Sequence, residues 1–383
     1  IEINPKMWYR CIRNVGIYNE LSVKPAKLLP VSRSYHKMHH IIHTFADVFN
    51  AHRHSTATRF HLCEAPGGFI QACNEYFGNT RYHTISIHSQ DNSVPRFPIQ
   101  KDVNVNVNVN VNVNVNVNVN VNVNVNANAN ANANANANAN RNVHPHEAAP
   151  PSAPNSKSTK TRFRVDKERF CVDKARMVEI LNGDITDWKV VNALIAGGAD
   201  SPYRSDIFTA DGGVSIKDHN HQEEICIRLV AFETYITLHL LNRGGTFVLK
   251  LFDTFTERSI ILINLITNLF DTVHLFKPPS SRSTNSEKYL VATGYERPPN
   301  LWRYTNHLLR YVISGERIPL ASTLRVDLEL PGTTRYTDYT CNILSINHIM
   351  ACVQGTHILS CINHMLQEMP ESEGHHELST TPD

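Results

Sequence analysis

The chain has 383 residues, and its 37 Lys and Arg nearly balance its 35 Asp and Glu, giving a formal charge of +2. This balance excludes a wholly basic protein that coats nucleic acid, although it leaves room for a local basic groove. Residues 103–140 repeat Val-Asn and then Ala-Asn, a composition that predicts a disordered insertion. The remaining length suffices for one large α/β domain and an appendage.

Cysteine usage and hydropathy indicate the cellular setting. The eight cysteines form no CxxC pair, which favours a reduced intracellular protein over a disulfide scaffold or a zinc knuckle. The longest apolar stretch, residues 259–270, is too short to span a bilayer, so no membrane partner is expected. The expected location is the nucleus, the cytoplasm or both. The chain begins at Ile1 without a methionine, as a fragment would.

The predicted elements alternate between helix and strand. Helical spacing of apolar residues predicts a helix within residues 34–47, and residues 59–77 read as a short buried strand that turns at PGG into a helix. Later strands are expected within 82–87, 177–186, 205–213, 244–252, 273–276 and 289–295, and helices over 222–241 and 261–270. This alternation is typical of a doubly wound, mostly parallel α/β sheet with helices on both faces.

These elements divide the chain into four parts. Residues 1–99 and 166–299 form the α/β domain, and residues 100–165 interrupt it as a low-complexity insertion, because the alternation resumes after them. Residues 300–383 form a C-terminal appendage that ends in a polar tail, which is expected to be disordered.

A glycine-containing loop follows the first strand. Its sequence is CEAPGGF (residues 63–69), and it lies at the edge where open α/β sheets bind ligands. Its glycines permit close approach of the backbone to a ligand, and the next helix offers free N–H groups. Without GK[ST] it is no Walker loop, and the absence of GxGxxG argues against a dinucleotide-dependent dehydrogenase. A cofactor loop of unspecified type and a plain structural turn both remain.

Charged residues stand at strand ends or beside them. Asp211 closes FTADGG, Lys250 closes the apolar strand FVLK, and Glu287 precedes the strand YLVATGY. Lys37 lies on the helix ahead of the first strand. Each alone has a plain structural explanation, a helix cap or a solvated side chain. Their convergence on one rim of the sheet predicts a site.

CEAPGGF, TADGG, FVLK and NSEKYLV, in this order, resemble the FtsJ/RrmJ-type ribose 2′-O-methyltransferases over roughly residues 34–295. Within that family the sequence of these motifs is most similar to the cap-2 type of cap-specific mRNA methyltransferase and to related viral enzymes. The resemblance implies a Rossmann-like fold that binds S-adenosylmethionine, with no metal. Its Lys-Asp-Lys-Glu tetrad, which surrounds the 2′-hydroxyl, is matched by Lys37, Asp211, Lys250 and Glu287. The positions matched on the cofactor side are Glu64, Pro66, Gly67, Gly68, Phe69 and Asp184.

The residue types suit this chemistry. Methyl transfer to a ribose oxygen requires loss of the hydroxyl proton, and an ordinary lysine with a pKa near ~10.4 is a poor base. A second lysine and a desolvated pocket are therefore expected to lower the pKa of one lysine.

Two further basic groups need an interpretation. Four histidines have metal-compatible helical spacing, but no Cys, Asp or Glu completes a ligand set, so an RNA-facing stripe is favoured: His36, His39, His40 and His43. A modest basic rim for phosphates is expected from Arg258, Lys277, Arg282 and Lys288.

The predicted function is methyl transfer from S-adenosylmethionine to a ribose 2′-hydroxyl near the 5′ cap of mRNA, with the cap-2 type favoured. The expected partners are the capped mRNA 5′ end and, as a further candidate, the transcription or capping machinery. The alternatives are the same reaction on the first cap-proximal nucleotide, on tRNA or on rRNA, and a catalytically silent RNA-binding relative. The host, a cell or a virus, is left open.

Overall fold

The computed structural model describes residues 30–87 (except 55, 79 and 80), 177–316 (except 215 and 217) and 339–368. All of these belong to one compact unit. The predictions for the insertion over 100–165 and for the polar tail beyond residue 368 fall outside the described residues.

Within the described residues, seven strands form one sheet in the order β3-β2-β1-β4-β5-β7-β6. The first five strands are parallel, whereas β7 runs antiparallel to both of its neighbours, β5 and β6. The strands are β1 (Arg59–Leu62), β2 (Tyr82–Ser86), β3 (Met177–Asn182), β4 (Ser205–Ala210), β5 (Leu241–Leu251), β6 (Phe270–Phe276) and β7 (Lys288–Tyr295).

Helices cover both faces of this sheet. One face carries α1 (Ser34–Thr44), α2 (Ala46–Ala51) and α3 (Gly68–Phe77). The other carries α4 (Trp188–Ile195), α5 (Gln222–Leu240), α6 (Glu257–Thr267), α7 (Leu301–His307), a π-helical turn (Leu308–Ile313) and α8 (Thr340–Glu368). Across the described ranges, no helix combines the length and the apolar character needed to cross a bilayer. The predicted doubly wound, mostly parallel α/β fold is confirmed.

Strand alternation assigns side chains to the two faces. Ile207 and Val248 belong to the core under α1–α3, whereas their neighbours Phe208 and Phe247 belong to the core on the opposite face. Because side chains alternate along a strand, Lys250 has the same orientation as Val248. The carboxyl end of β5 therefore directs its lysine toward the α1 side of the sheet.

The insertion separates two adjacent parallel strands, since β2 pairs directly with β3. Loop-closure entropy grows slowly with loop length, so the sheet does not depend on how long this connection is. Replacing residues 102–160 with a short Gly/Ser linker should therefore leave the fold, and the methyl transfer that the sequence predicts, largely intact. Circular dichroism and a methyl-transfer assay on the deletion variant test this. A folded variant that no longer binds cofactor would contradict it.

Candidate active site

The loop between β1 and α3 takes a conformation that only glycine adopts readily. Gly67 is the N-cap of α3 and has a φ of 103°, in the left-handed region where a side chain is strained. The preceding Ala65–Pro66 peptide bond is cis, and the Ala65 N–H donates to Ser86 Oγ on β2 at 3.1 Å. The loop is thereby fixed to the carboxyl ends of β1 and β2.

Gly68 and Phe69 serve the packing of the loop. A Cβ atom on Gly68 would lie 2.1 Å from Ser34 Oγ and 2.6 Å from the Tyr35 backbone nitrogen. The Phe69 ring is fully buried and packs against Tyr289, with ring centroids 5.6 Å apart. Gly68 is thus required for contact with α1, and the Phe69 side chain is a core residue. Gly68 has no side chain and the Phe69 ring lies in the core, so only their backbone is left to contact a cofactor, and their assignment to cofactor binding stays a prediction.

Glu64 is the polar group of this loop. Its side chain is 2% exposed, and its Oε2 accepts a hydrogen bond from the Phe69 N–H at 3.1 Å. Among the described residues, Glu64 Oε1 is buried without a partner. Burial raises the pKa of Glu64 well above its usual range, and nearby Asp211 raises it further. A buried acceptor without a donor is suited to a ligand that brings one.

Asp184 follows β3 at the same edge of the sheet and is exposed. One of its oxygens, Oδ1, accepts from the Thr186 N–H at 2.8 Å and from the Thr186 hydroxyl at 2.7 Å. Its second carboxylate oxygen has no hydrogen bond of this kind within the described part of the chain. Asp184 therefore keeps one acceptor at the edge that also carries Glu64.

The first of two ion pairs joins the ends of β4 and β5. Lys250 Nζ lies 3.3 Å from Asp211 Oδ1 and donates to the Asp211 main-chain oxygen at 2.7 Å. The hydroxyl of Tyr289 on β7 also donates to Asp211 Oδ1, at 2.8 Å. Asp211 is thus held from two neighbouring strands.

The second ion pair joins α1 to the loop before β7. Lys37 Nζ lies 2.7 Å from one oxygen of Glu287 and 2.8 Å from the other. Ser281 Oγ donates to Glu287 Oε1 at 2.8 Å. Burial raises the pKa of Glu287, but Lys37 and Lys250 lower it, and the net direction is downward. The structure therefore brings all four predicted tetrad residues together as two lysine–carboxylate pairs.

The predicted lowering of a lysine pKa is wrong for Lys250. Burial does lower the pKa of Lys250, but Asp211, Glu287 and Glu233 raise it, and the net direction is upward. A second lysine and desolvation favour the neutral form, but the negative charges of Asp211, Glu287 and Glu233 outweigh them. In this arrangement Lys250 is held as a cation, and it must lose its proton before it can act as a base.

Most of the predicted basic rim has a structural role. Lys277 Nζ donates to the main-chain oxygens of Asn285 and Glu287, at 2.7 and 2.8 Å, and so fixes the loop that carries Glu287. Lys288 donates to the Phe252 carbonyl, and Arg258 Nε donates to the Val312 carbonyl at 2.9 Å. These contacts give the three residues structural roles, and phosphate binding by the rim stays a prediction.

The histidine stripe lies along α1 beside the site. The His39 and His43 rings are in contact at a tilt of 42°, with centroids 4.2 Å apart, and His40 Nδ1 lies 3.0 Å from Ser280 Oγ. Burial, together with His43 and His40, lowers the pKa of His39 to about 4. Within the described residues no His, Cys, Asp and Glu side chains are grouped as a metal site requires. His39 is therefore neutral at pH 7.

Sequence reasoning missed two residues that hold the site. Tyr289 lies two positions after Glu287, and this period-two spacing could have placed its hydroxyl on the same side. Glu233, on α5, accepts from the Gly212 N–H at 3.1 Å. No sequence signal singled it out, because a carboxylate within an apolar helix carries no motif.

The chain belongs to the FtsJ-like methyltransferase family, whose sequence model matches residues 30–144 and 160–295. The fold and the polar site described above therefore belong to a protein of this methyltransferase family.

Three relatives illustrate the similarity. The chain is 39% identical over 128 residues to cap-specific mRNA (nucleoside-2′-O-)-methyltransferase 1 of Trypanosoma cruzi, covering 33% of this chain and 35% of that protein. It is 36% identical over 142 residues to the cap-specific mRNA (nucleoside-2′-O-)-methyltransferase of Autographa californica nuclear polyhedrosis virus. This match covers 36% of this chain and 52% of the viral protein. It is 37% identical over 93 residues to cap-specific mRNA (nucleoside-2′-O-)-methyltransferase 2 of Drosophila melanogaster. This match covers 24% of this chain and 13% of the Drosophila protein.

The matched segments thus span between 13% and 52% of these relatives. Proteins named type 1 and type 2 match at similar identity, so preference for the cap-2 position stays a prediction.

Proposed function

We propose that the chain transfers a methyl group from S-adenosylmethionine to a ribose 2′-hydroxyl near the 5′ cap of mRNA. The observation that carries the proposal is the pair of lysine–carboxylate contacts at one edge of the sheet, Lys250 with Asp211 and Lys37 with Glu287. The names of the similar proteins support capped mRNA as the substrate class.

The residues beside these pairs fit the cofactor. The unpartnered oxygen of buried Glu64 accepts a hydrogen bond, and S-adenosylmethionine offers donors on its ammonium, ribose and adenine groups. The Pro66–Gly67 turn lies at the carboxyl end of β1, and within the described residues Asp184 keeps one carboxylate oxygen without a hydrogen bond at the same edge. These residues would hold the cofactor.

The four tetrad residues would manage the proton and the position of the hydroxyl. When bound, S-adenosylmethionine supplies an electrophilic methyl group on a cationic sulfonium. Asp211 and Glu287 hold the ammonium groups of Lys250 and Lys37 in place. These groups would then contact and orient the ribose oxygen instead of pointing into solvent. Neutral Lys250 accepts the hydroxyl proton. Because neighbouring carboxylates raise the pKa of Lys250, its neutral fraction, and with it the rate, should rise about tenfold per pH unit below that pKa.

The test is to incubate the protein with methyl-labelled cofactor and a set of RNAs, and then to map the label. The set contains capped RNA, capped RNA already methylated on its first nucleotide, and uncapped RNA of the same sequence. Label on the second nucleotide indicates the cap-2 type, and label on the first indicates the alternative position. Equal labelling of uncapped RNA would indicate that the substrate belongs to another class of RNA. Binding without transfer on every RNA would favour the silent relative.

A further inference from the structure

We propose that Glu233 is a positioning residue that holds Lys250 in its working position through the peptide group between Asp211 and Gly212. This inference rests on the proposed methyl transfer, because it gives Glu233 a part in that reaction.

One peptide group connects the two side chains. Lys250 Nζ donates to the Asp211 carbonyl oxygen at 2.7 Å, and the Gly212 N–H donates to Glu233 Oε1 at 3.1 Å. That carbonyl and that N–H belong to the same planar trans peptide, so they point in opposite directions. The peptide is therefore held at both ends and cannot rotate without losing a hydrogen bond. Bonds arranged in such a chain polarise and strengthen one another.

The turn at Gly212 and Gly213 is a thin layer of backbone between the Glu233 and Lys250 side chains. A Cβ atom on Gly212 would lie 2.3 Å from Glu233 Oε1, and one on Gly213 would lie 3.3 Å from Lys250 Nζ. Glu233 approaches from α5, on one face of the sheet, and Lys250 projects from β5 toward the α1 side. Glycine at both positions lets the two side chains close on the turn from opposite sides.

The carboxyl group contributes more than an acceptor. Glu233 is fully buried, and burial raises its pKa to about 8. A glutamine would accept the same hydrogen bond without the cost of burying a charge. As a carboxylate, Glu233 joins Asp211 and Glu287 in raising the pKa of Lys250. The titratable groups that face Glu233 are Lys250 on β5, Asp211 after β4, Cys63 and Glu64 after β1, and Cys226 on α5.

The experiment compares Glu233→Gln and Glu233→Leu in the full chain. The first measurement is the pKa of Lys250 by NMR of protein labelled with ¹³C in its lysine side chains, with the signal assigned from Lys250→Met. The second is the single-turnover methyl-transfer rate between pH 6.5 and 9.5. Glu224→Gln, an exposed position on the same helix, is the matched control and should change neither. Circular dichroism verifies the fold of each variant.

Glu233→Gln should lower the pKa of Lys250 and shift the rising limb of the rate profile to lower pH, each by about one pH unit, because the acceptor stays and the charge is lost. Glu233→Leu loses the charge as well, so Glu233→Gln is its reference. Its rate should be at least ~10-fold below that of Glu233→Gln at every pH, with an unchanged cofactor Kd, because the peptide loses one of its two anchors. The proposal is overturned if Lys250 keeps its pKa in Glu233→Gln, or if Glu233→Leu transfers as fast as Glu233→Gln. The NMR titration needs no RNA, so wild-type protein that methylates no RNA would contradict the proposed function and leave this test standing.

Discussion

Lys250→Met should abolish most methyl transfer and leave cofactor binding nearly unchanged. Methionine keeps most of the stem that packs at the end of β5 but removes the amine that contacts Asp211 at 2.7 and 3.3 Å. The rate should fall at least ~100-fold, as expected for the loss of a positioned base. Lys250→Arg should also fail, because a guanidinium keeps its proton. Calorimetry with the cofactor and a single-turnover assay on capped RNA measure the two effects separately.

Lys288→Met is the matched control for this experiment. Lys288 is also buried, at 4% exposure, and its ammonium group donates to the Phe252 carbonyl rather than to a tetrad residue. This variant should lose stability through the unpaired carbonyl and keep its rate per folded molecule. Near wild-type transfer by Lys250→Met would show that the tetrad assignment is wrong and would favour a silent RNA-binding role.

Gly68→Ala should destabilise the fold and disturb the site together. The new methyl group would lie 2.6 Å from the Tyr35 backbone nitrogen, and because backbone cannot rotate away as a side chain can, α1 must move. Overpacking of this kind should lower the free energy of unfolding by about 3 kcal/mol. Since α1 carries Lys37, its contact with Glu287 should lengthen and the rate should fall. Urea unfolding and single-turnover transfer measure both.

The same substitution at Gly355 should have the opposite effect on stability. Gly355 lies within α8, and apart from the helix's own backbone no atom of the described residues would lie within 4 Å of its Cβ. Alanine should therefore raise the free energy of unfolding by about 0.5–1 kcal/mol through helix propensity alone, with no effect on rate. A Gly68→Ala variant as stable as Gly355→Ala would contradict the close approach of α1 to α3.

The order of the strands and one half of the site follow from sequence patterns. Buried strands that end in Asp211 and Lys250 are parallel neighbours, and period-two alternation puts both side chains on one side of the sheet. Their contact could therefore be expected from the sequence. The protonation state of Lys250 could not, because it depends on how many carboxylates surround it. One of these, Glu233, comes from a helix on the opposite face.

The other half of the site depends on contacts that no local pattern encodes. Lys37 meets Glu287 across 250 positions of sequence, and α1 can approach α3 this closely only because residue 68 is glycine. The rim lysines illustrate the reverse case. A basic side chain in a loop suggests solvent or phosphate, but Lys277 instead satisfies main-chain oxygens that the folded loop would leave unpaired.

The position of β7 in the sheet has a consequence for biosynthesis. It is the last of the seven strands to be made, yet it lies between β5 and β6. Until it emerges from the ribosome, both of those strands present an unpaired edge to other chains. Translation at about 5–20 residues per second makes this interval last on the order of seconds. The nascent protein is therefore exposed to misassembly until β7, the last of the described strands, enters between β5 and β6.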